Sequence, residues 1–247
     1  MRLKAHLICP RGRCLVSTLN DLARKEVFFM GWGIDSSSPL TNEVSCIKDS
    51  TINGNPILWV VRYYNVNDPS KNLTKSEAQA LSNAGLGIIA NWENGYPTST
   101  SYFTNAQGQA DGLEAFSYAA DTIGQPGYTP VYFSVDYNAY TSADKTAILD
   151  YFTGVAQGYE QYKTNQASQG LPVTEYYIGV YGGCEVLSGC NDVGAATYFW
   201  QAYSPGYENS TTQFASDNLW QKSSEYLLCT VYVDNDEGFG NPGSWTI

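Results

Sequence analysis

The sequence contains a single histidine, His6, and only 13 basic residues against 24 acidic ones. With no histidine beyond the N-terminal segment, a Ser-His-Asp or Cys-His catalytic site lacks its base. No C-x-x-C pair supports a zinc site. The formal net charge of -11 repels phosphate backbones and anionic membrane surfaces. We therefore expect no metal, no cofactor, no nucleic-acid partner and no membrane partner.

The chain also lacks an apolar run of the roughly 20 residues that a membrane-spanning helix needs. Near the N-terminus, Pro10, Arg11 and Arg13 interrupt what would be the apolar region of a secretory signal. We interpret residues 1–27 as an extension that the fold does not require, followed by one domain at 28–247. Two alternatives stay open for this segment: a misassigned start ahead of Met30, or a helix packed under the domain.

Eight short runs rich in β-branched and aromatic residues alternate with helical patterns from residue 28 onward. The predicted strands are 28–35, 57–63, 86–92, 130–136, 176–182, 197–203, 217–221 and 229–234. Such alternation is typical of parallel βα units. Eight units within 247 residues predict an α/β fold of the (β/α)8 TIM-barrel type.

Three segments between these strands predict helices. Thr74 and Glu77 have the spacing of a capping box, and Gly85 can end the helix that follows. Residues 105–123 place apolar side chains near one face despite two glycines, and residues 142–162 repeat them at steps of three and four. After residue 182 the connections are short and rich in Gly, Ser and Asn, so we expect irregular or missing helices in the second half.

Four of the six cysteines lie within the predicted barrel. Cys184 and Cys190 flank a short loop, whereas Cys46 follows the first strand and Cys229 opens the last. First and last strands are neighbours in a closed barrel, so we predict the pairs Cys184–Cys190 and Cys46–Cys229. Two disulfides indicate an oxidising compartment, and we expect an extracellular or cell-wall location.

Active sites of (β/α)8 barrels gather at the C-terminal ends of the strands. The predicted strand ends carry four carboxylates, together with tyrosines and glutamines: Asp35, Tyr63, Glu93, Asp136, Tyr181, Gln201, Tyr203, Gln221 and Asp234. Carboxylates crowded at one mouth repel each other, which raises the pKa of at least one of them. That environment suits acid catalysis.

Several motifs, in order, resemble those of the family 25 lysozymes. They are GWGIDSSSP, PVYFSVDYNA, YIGVYGG, YFWQAYSPG, LWQ and VYVDND. The likeness is closer still to a bacterial and fungal glycoside-hydrolase-like family of uncertain activity. The resemblance implies a barrel that handles sugar polymers, with Asp35, Asp136 and Asp234 at matching catalytic positions.

One departure concerns the proton donor. Asn138 stands where the lysozymes have a glutamate, and an amide has no titrating proton to give. Glu93 follows Trp92 at the end of the third predicted strand, where an apolar ring favours the protonated carboxyl. We predict Glu93 as the replacement donor, with its carboxyl about 5 to 10 Å from that of Asp136.

The remaining candidates form the expected groove and its supporting groups. We predict Asp35 and Asp234 to orient water or hold sugar hydroxyls. Substrate contacts are expected from Tyr63, Trp92, Asn138, Tyr181, Trp200, Gln201, Tyr203 and Gln221. The leading hypothesis is a monomeric glycoside hydrolase that acts on an amino-sugar polysaccharide such as peptidoglycan. The alternative is a catalytically inactive barrel that binds glycan.

Overall fold

A computed structural model of the chain describes residues 31–247. Within this range, eight strands close into a barrel: β1 (Gly31–Asp35), β3 (Asn55–Tyr64), β4 (Gly87–Trp92), β5 (Pro130–Ser134), β6 (Tyr177–Gly182), β7 (Tyr198–Gln201), β8 (Leu219–Leu228) and β9 (Val231–Gly238). A two-residue strand, β2 (Thr51–Ile52), pairs with the start of β3. The predicted barrel and all eight predicted strands are confirmed. The extension at 1–27, the proposal that the fold does not need it, and residues 28–30 lie outside the described residues.

The barrel closes through β1, which pairs with β3 in parallel and with β9 in antiparallel orientation. The pairs from β3 to β8 are parallel, but β9 is antiparallel to both of its neighbours. The eighth βα unit is therefore replaced by a hairpin of β8 and β9. A parallel crossover needs a dozen or more residues, and two residues separate these strands.

The inside of the barrel is filled by six buried side chains: Trp59, Val61, Ile89, Tyr132, Trp200 and Leu219. The Trp59 ring lies against the backbone of β1, where a Cβ on Gly33 would come within 2.1 Å of the indole. Glycine at this position is thus required by the close approach of the ring. A second, larger apolar layer packs between the strands and the helices.

Five α-helices surround the barrel in the described range: α1 (Val44–Asp49), α2 (Lys75–Asn83), α3 (Asn105–Ser117), α4 (Ser142–Ser168) and α5 (Cys184–Asp192). The α3 segment continues into a π-helical turn at Tyr118–Ile123. One helix follows β6, and none lies between β7 and β8 or between β8 and β9. The predicted loss of helices in the second half is confirmed.

The α2 capping box is half formed. The Thr74 hydroxyl accepts from the Glu77 amide, and Gly85 ends the helix region at a φ of 72°. The predicted return bond from the Glu77 carboxylate to Thr74 does not form, because this carboxylate pairs with the buried Arg62 guanidinium at 2.7 Å. A reciprocal box occurs instead at α4, between Thr141 and Asp144.

The two glycines of α3 allow it to pack closely on α4. A Cβ on Gly108 would lie 2.0 Å from the Tyr151 carbonyl, and one on Gly112 would lie 2.4 Å from the Val155 carbonyl. Helical glycine costs about 1 kcal/mol in propensity. Close backbone contact between the helices explains why this cost is tolerated here.

One predicted disulfide forms and the other does not. Cys46 on α1 is bonded to Cys229 in the β8–β9 turn, with 6.1 Å between the Cα atoms. Cys184 and Cys190 are buried free thiols, so their predicted pairing is wrong. Both lie on α5, six positions apart, which places their Cα atoms about 9 Å apart along the helix axis. This distance is beyond the reach of a disulfide.

No helix within residues 31–247 is both long and apolar enough to cross a membrane.

Candidate active site

A cleft of about 300 Å³ opens at the mouth of the barrel. Its walls come from the ends of the strands and from the β8–β9 hairpin, and they contain Asp35, Ser36, Ser37, Tyr63, Lys71, Glu93, Asp136, Tyr181, Tyr203, Gln221, Glu225, Tyr232, Val233 and Asp234. The four carboxylates predicted from the strand ends all line this one cleft. Four of the predicted substrate-contacting residues line it too: Tyr63, Tyr181, Tyr203 and Gln221.

Asp35 lies at the floor of the cleft, where β1 ends, and is only 4% exposed. Its carboxylate accepts from the Tyr63 hydroxyl at 2.9 Å and from the Gln221 amide at 2.9 Å. Burial, followed by the charge of Asp234, raises its pKa to about 7 against these hydrogen bonds. Asp35 therefore exchanges a proton near neutral pH.

Gln221 on β8 connects both sides of the floor. Its amide nitrogen donates to Asp35 and, at 2.7 Å, to Asp234 on β9. Its amide oxygen accepts from the Tyr181 hydroxyl at 3.1 Å and from the Tyr203 backbone at 3.0 Å. One buried amide thus fixes the positions of two carboxylates and one tyrosine.

A further carboxyl, Asp236, lies beneath the floor and is fully buried. Burial, then the charge of Asp35, raises its pKa well above the usual range, so it holds a proton. One of its oxygens accepts from the Trp200 indole at 2.8 Å, and the other has no hydrogen-bond partner among the described residues.

Glu93 follows β4 on the opposite wall from the hairpin. Its carboxylate pairs with the Lys71 ammonium at 3.1 Å. Burial raises the pKa of Glu93, Lys71 opposes this rise, and the charge of Asp136 adds to it. A carboxyl that keeps its proton longer than usual is suited to donate it.

Asp136 is exposed at the cleft wall and accepts from the Tyr207 hydroxyl at 3.3 Å. Asn138, two residues further on, does not line the cleft. Its side chain accepts from the Glu208 amide at 2.8 Å and donates weakly to the Gly206 carbonyl at 3.4 Å. Asn138 therefore anchors the loop that carries Tyr207, and it is Tyr207 that donates a hydrogen bond to Asp136.

Three other predicted groove residues lie elsewhere. Trp92 is 1% exposed and faces the layer between strands and helices. Trp200 is fully buried inside the barrel, and Gln201 is fully buried with its amide bonded to Thr212 and Phe214. Side chains alternate across a strand, so Glu93 faces the mouth and its neighbour Trp92 faces outward.

Four further charged or aromatic residues near the cleft were not among the predicted site residues: Lys71, Glu225, Tyr232 and Asp236. The two-residue alternation from Asp234 places Asp236 on the same face, which is the signal that could have found it. Tyr232, two residues before Asp234, shares this signal. Lys71 and Glu225 lie outside the predicted strands, and the sequence pattern carried no signal for them.

The described residues contain no group of three or more His, Cys, Asp or Glu side chains with the arrangement of a metal site. The cleft offers carboxyls, tyrosine and serine hydroxyls, the Lys71 ammonium and the Gln221 amide.

Residues 50–238 match the model of a protein family described as "Rv2525c-like, glycoside hydrolase-like domain". The chain belongs to this family. The glycoside-hydrolase-like family expected from the strand-end motifs is thereby confirmed.

Two curated proteins of Bacillus subtilis (strain 168) are similar to this Rv2525c-like chain. The uncharacterized protein YbfG is 29% identical over 244 residues, which is 96% of this chain and 30% of YbfG. The uncharacterized protein FadG is 29% identical over 126 residues, 49% of this chain and 20% of FadG. The chain therefore spans less than a third of the length of either relative.

Solved structures share the fold. The Tat-secreted protein Rv2525c of Mycobacterium tuberculosis superposes with a TM-score of 0.63 at 21% identity, covering 87% of this chain and 99% of that one. The modular autolysin LytC of Streptococcus pneumoniae, solved with a synthetic peptidoglycan ligand, gives 0.51 at 12% identity, covering 85% of this chain and 46% of that one. At these identities the likeness concerns the fold alone.

Proposed function

We propose that this protein is a glycoside hydrolase that acts on an amino-sugar polysaccharide such as peptidoglycan. The observation that carries the proposal is the set of carboxyls around one cleft, with Asp35 and Glu93 both raised in pKa by burial. Glycoside hydrolysis commonly uses two carboxyls, one to protonate the leaving oxygen and one to act as base or nucleophile.

Glu93 is our candidate for the proton donor and Asp136 for the base or nucleophile. Burial favours the protonated form of Glu93, whereas Asp136 is exposed to water. The two carboxyls are close enough for the charge of Asp136 to raise the pKa of Glu93. Asp35 and Asp234, held by Gln221, would bind sugar hydroxyls or orient the attacking water.

A glycan substrate is supported by the family description, and peptidoglycan in particular by the fold shared with LytC, which was solved with a synthetic peptidoglycan ligand. Secretion is supported by the Cys46–Cys229 disulfide, since disulfides persist in oxidising compartments, and by the shared fold of the Tat-secreted Rv2525c. We therefore place the protein outside the cell or at its wall.

A second candidate function is glycan binding without cleavage. It is favoured by the Lys71–Glu93 ion pair, because the Lys71 ammonium opposes the rise in the pKa of Glu93 that a proton donor needs, and by the amide at position 138. An incubation of the protein with chitooligosaccharides and with peptidoglycan, followed by mass spectrometry of the products, separates the two functions. Shortened oligosaccharides support the hydrolase, whereas binding seen by calorimetry without any new product supports the binder.

A further inference from the structure

The charge of the cleft is strongly one-sided. Its walls contain five carboxyls, namely Asp35, Glu93, Asp136, Glu225 and Asp234, and one ammonium, that of Lys71. Lys71 is already paired with Glu93. Among residues 31–247, no ion pair neutralises Asp136, Glu225 or Asp234. A ligand in this cleft therefore experiences a negative potential from at least three unpaired acids.

The cleft has little that would recognise an N-acetyl group. The methyl of an acetamido substituent needs an apolar wall, yet the one aliphatic residue of the lining, Val233, is 1% exposed. Two of the hydroxyls that line the cleft are already used as donors, because Tyr63 donates to Asp35 and Tyr181 donates to Gln221, whereas the hydroxyls of Ser37, Tyr203 and Tyr232 lie at the rim. The floor of the cleft therefore offers an acetamido group neither an exposed aliphatic wall nor a free tyrosine donor.

The aromatic residues at the rim also suit a sugar that carries a protonated amino group. Tyr203 is 41% exposed and Tyr232 is 63% exposed, and both line the cleft beside the acids. A tyrosine face can stack on a sugar ring and attract a cation at the same time. Carboxylates and ring faces together form the environment that a protonated amine prefers.

We infer that the cleft selects sugars with a free amino group, that is, de-N-acetylated amino-sugar units such as glucosamine in a glycan strand. The inference deepens the proposed function, on which it rests, by naming the substrate class of the same cleft. Glu225 on the β8–β9 hairpin binds the ammonium, Tyr203 and Tyr232 stack on the sugar rings, and the Lys71–Glu93 pair lies on the opposite side with Asp136.

The test compares the full chain's binding of tetraglucosamine and of tetra-N-acetylchitotetraose by calorimetry, at low and at high NaCl. At about pH 6 and low salt we expect tetraglucosamine to bind about tenfold more tightly, because it carries several ammonium groups and each exposed ion pair adds only a few-fold to the affinity. This preference should shrink at high salt, since screening weakens the attraction of exposed charges.

Variants assign the preference to the cleft. Glu225→Gln should weaken tetraglucosamine binding about twofold to fivefold and leave the acetylated oligosaccharide unaffected. Glu160→Gln, which removes an exposed carboxylate paired with Lys163 on α4, is the matched control and should change neither. Equal or tighter binding of the acetylated oligosaccharide, a preference insensitive to salt, or no binding of either would overturn the inference.

Failure of this inference and failure of the proposed function can be told apart. Cleavage of the acetylated oligosaccharide without a preference for free amines leaves the hydrolase intact and removes the specificity. Tight binding of tetraglucosamine without cleavage of any glycan keeps the specificity and favours the binding barrel.

Discussion

Asp35 and Asp234 lie directly opposite each other in the antiparallel β1–β9 pair, and both accept a hydrogen bond from the amide of Gln221. Two carboxyls in this position repel each other when both are charged. The charge of Asp234 is accordingly the second cause, after burial, of the raised pKa of Asp35. At neutral pH, Asp35 at the floor of the cleft is therefore partly protonated.

This arrangement predicts that the fold is more stable at mildly acidic pH than at neutral pH. The pKa of Asp35 is about 7 in the folded protein, against 3.8 for an unperturbed carboxyl. A group with a higher pKa in the folded state stabilises the fold below its unfolded pKa, and this contribution is lost as the pH rises through its folded pKa. The full displacement corresponds to about 4 kcal/mol. Urea unfolding between about pH 4 and 8 measures it.

Asp35→Asn is the variant that assigns this pH dependence. The neutral amide does not titrate, so the decline in unfolding free energy between about pH 4 and 7 should become shallower than in the wild type. An unchanged slope in the variant would show that other groups are responsible for the pH dependence, such as Asp236 or Asp217, whose pKa burial raises to about 6.

The buried pair of Arg62 and Glu77 holds the segment that follows Asp35. The Glu77 carboxylate bonds Arg62 at 2.7 Å and accepts from the Leu40 amide at 2.8 Å, while Arg62 donates to the Ser36 carbonyl. Glu77→Gln leaves a buried guanidinium without its counter-charge, which we expect to cost about 3 kcal/mol or more of unfolding free energy.

A matched comparison comes from an exposed ion pair on α4. Glu160 pairs with Lys163 at 2.6 Å and is 69% exposed, so Glu160→Gln should cost less than about 1 kcal/mol. Denaturant titrations of both variants provide the measurement. Similar losses in the two variants would contradict the structural role given to the buried pair.

The Cys46–Cys229 disulfide ties the β8–β9 turn to α1. The bond closes a loop of 183 residues, and Thr230 adds a hydrogen bond to Glu43 beside it. Replacing both cysteines by serine should reduce the free energy of unfolding by about 2–4 kcal/mol. Reductant should destabilise the wild type and have no further effect on the double variant. Thermal unfolding with and without reductant tests this, and equal stability of all four samples would contradict it.

Much of the barrel could be predicted from the sequence, because β-branched and aromatic runs mark strands and barrel topology places their C-terminal ends at one mouth. The direction of the last strand was missed. The predicted strands 217–221 and 229–234 are separated by seven residues, too few for a parallel crossover, so the antiparallel hairpin was already implied. Asp234 reaches the mouth from the middle of β9, where it pairs with the last residue of β1, rather than from the end of a parallel strand.

The site was predicted less completely, for a reason that strand geometry explains. Strand-end carboxylates could be found because the C-terminal ends of the barrel strands meet at one mouth. Trp92 and Gln201 are also the last residues of their strands, β4 and β7. Their side chains face the outer side of the barrel, where they pack under helices and loops. Glu225 and Tyr232 reach the cleft on the β8–β9 hairpin, whose overhang depends on the antiparallel pairing.

The central claim is tested most directly by the hydrolysis of peptidoglycan strands and chitooligosaccharides by wild type, Glu93→Gln and the control Glu160→Gln. If Glu93 donates the proton, Glu93→Gln should lower the rate about 10²- to 10⁴-fold while oligosaccharide binding persists, because the amide keeps the shape and loses the titrating proton. Glu160→Gln should cleave at the wild-type rate. Wild-type cleavage by Glu93→Gln, or no cleavage by the wild type itself, would contradict the account.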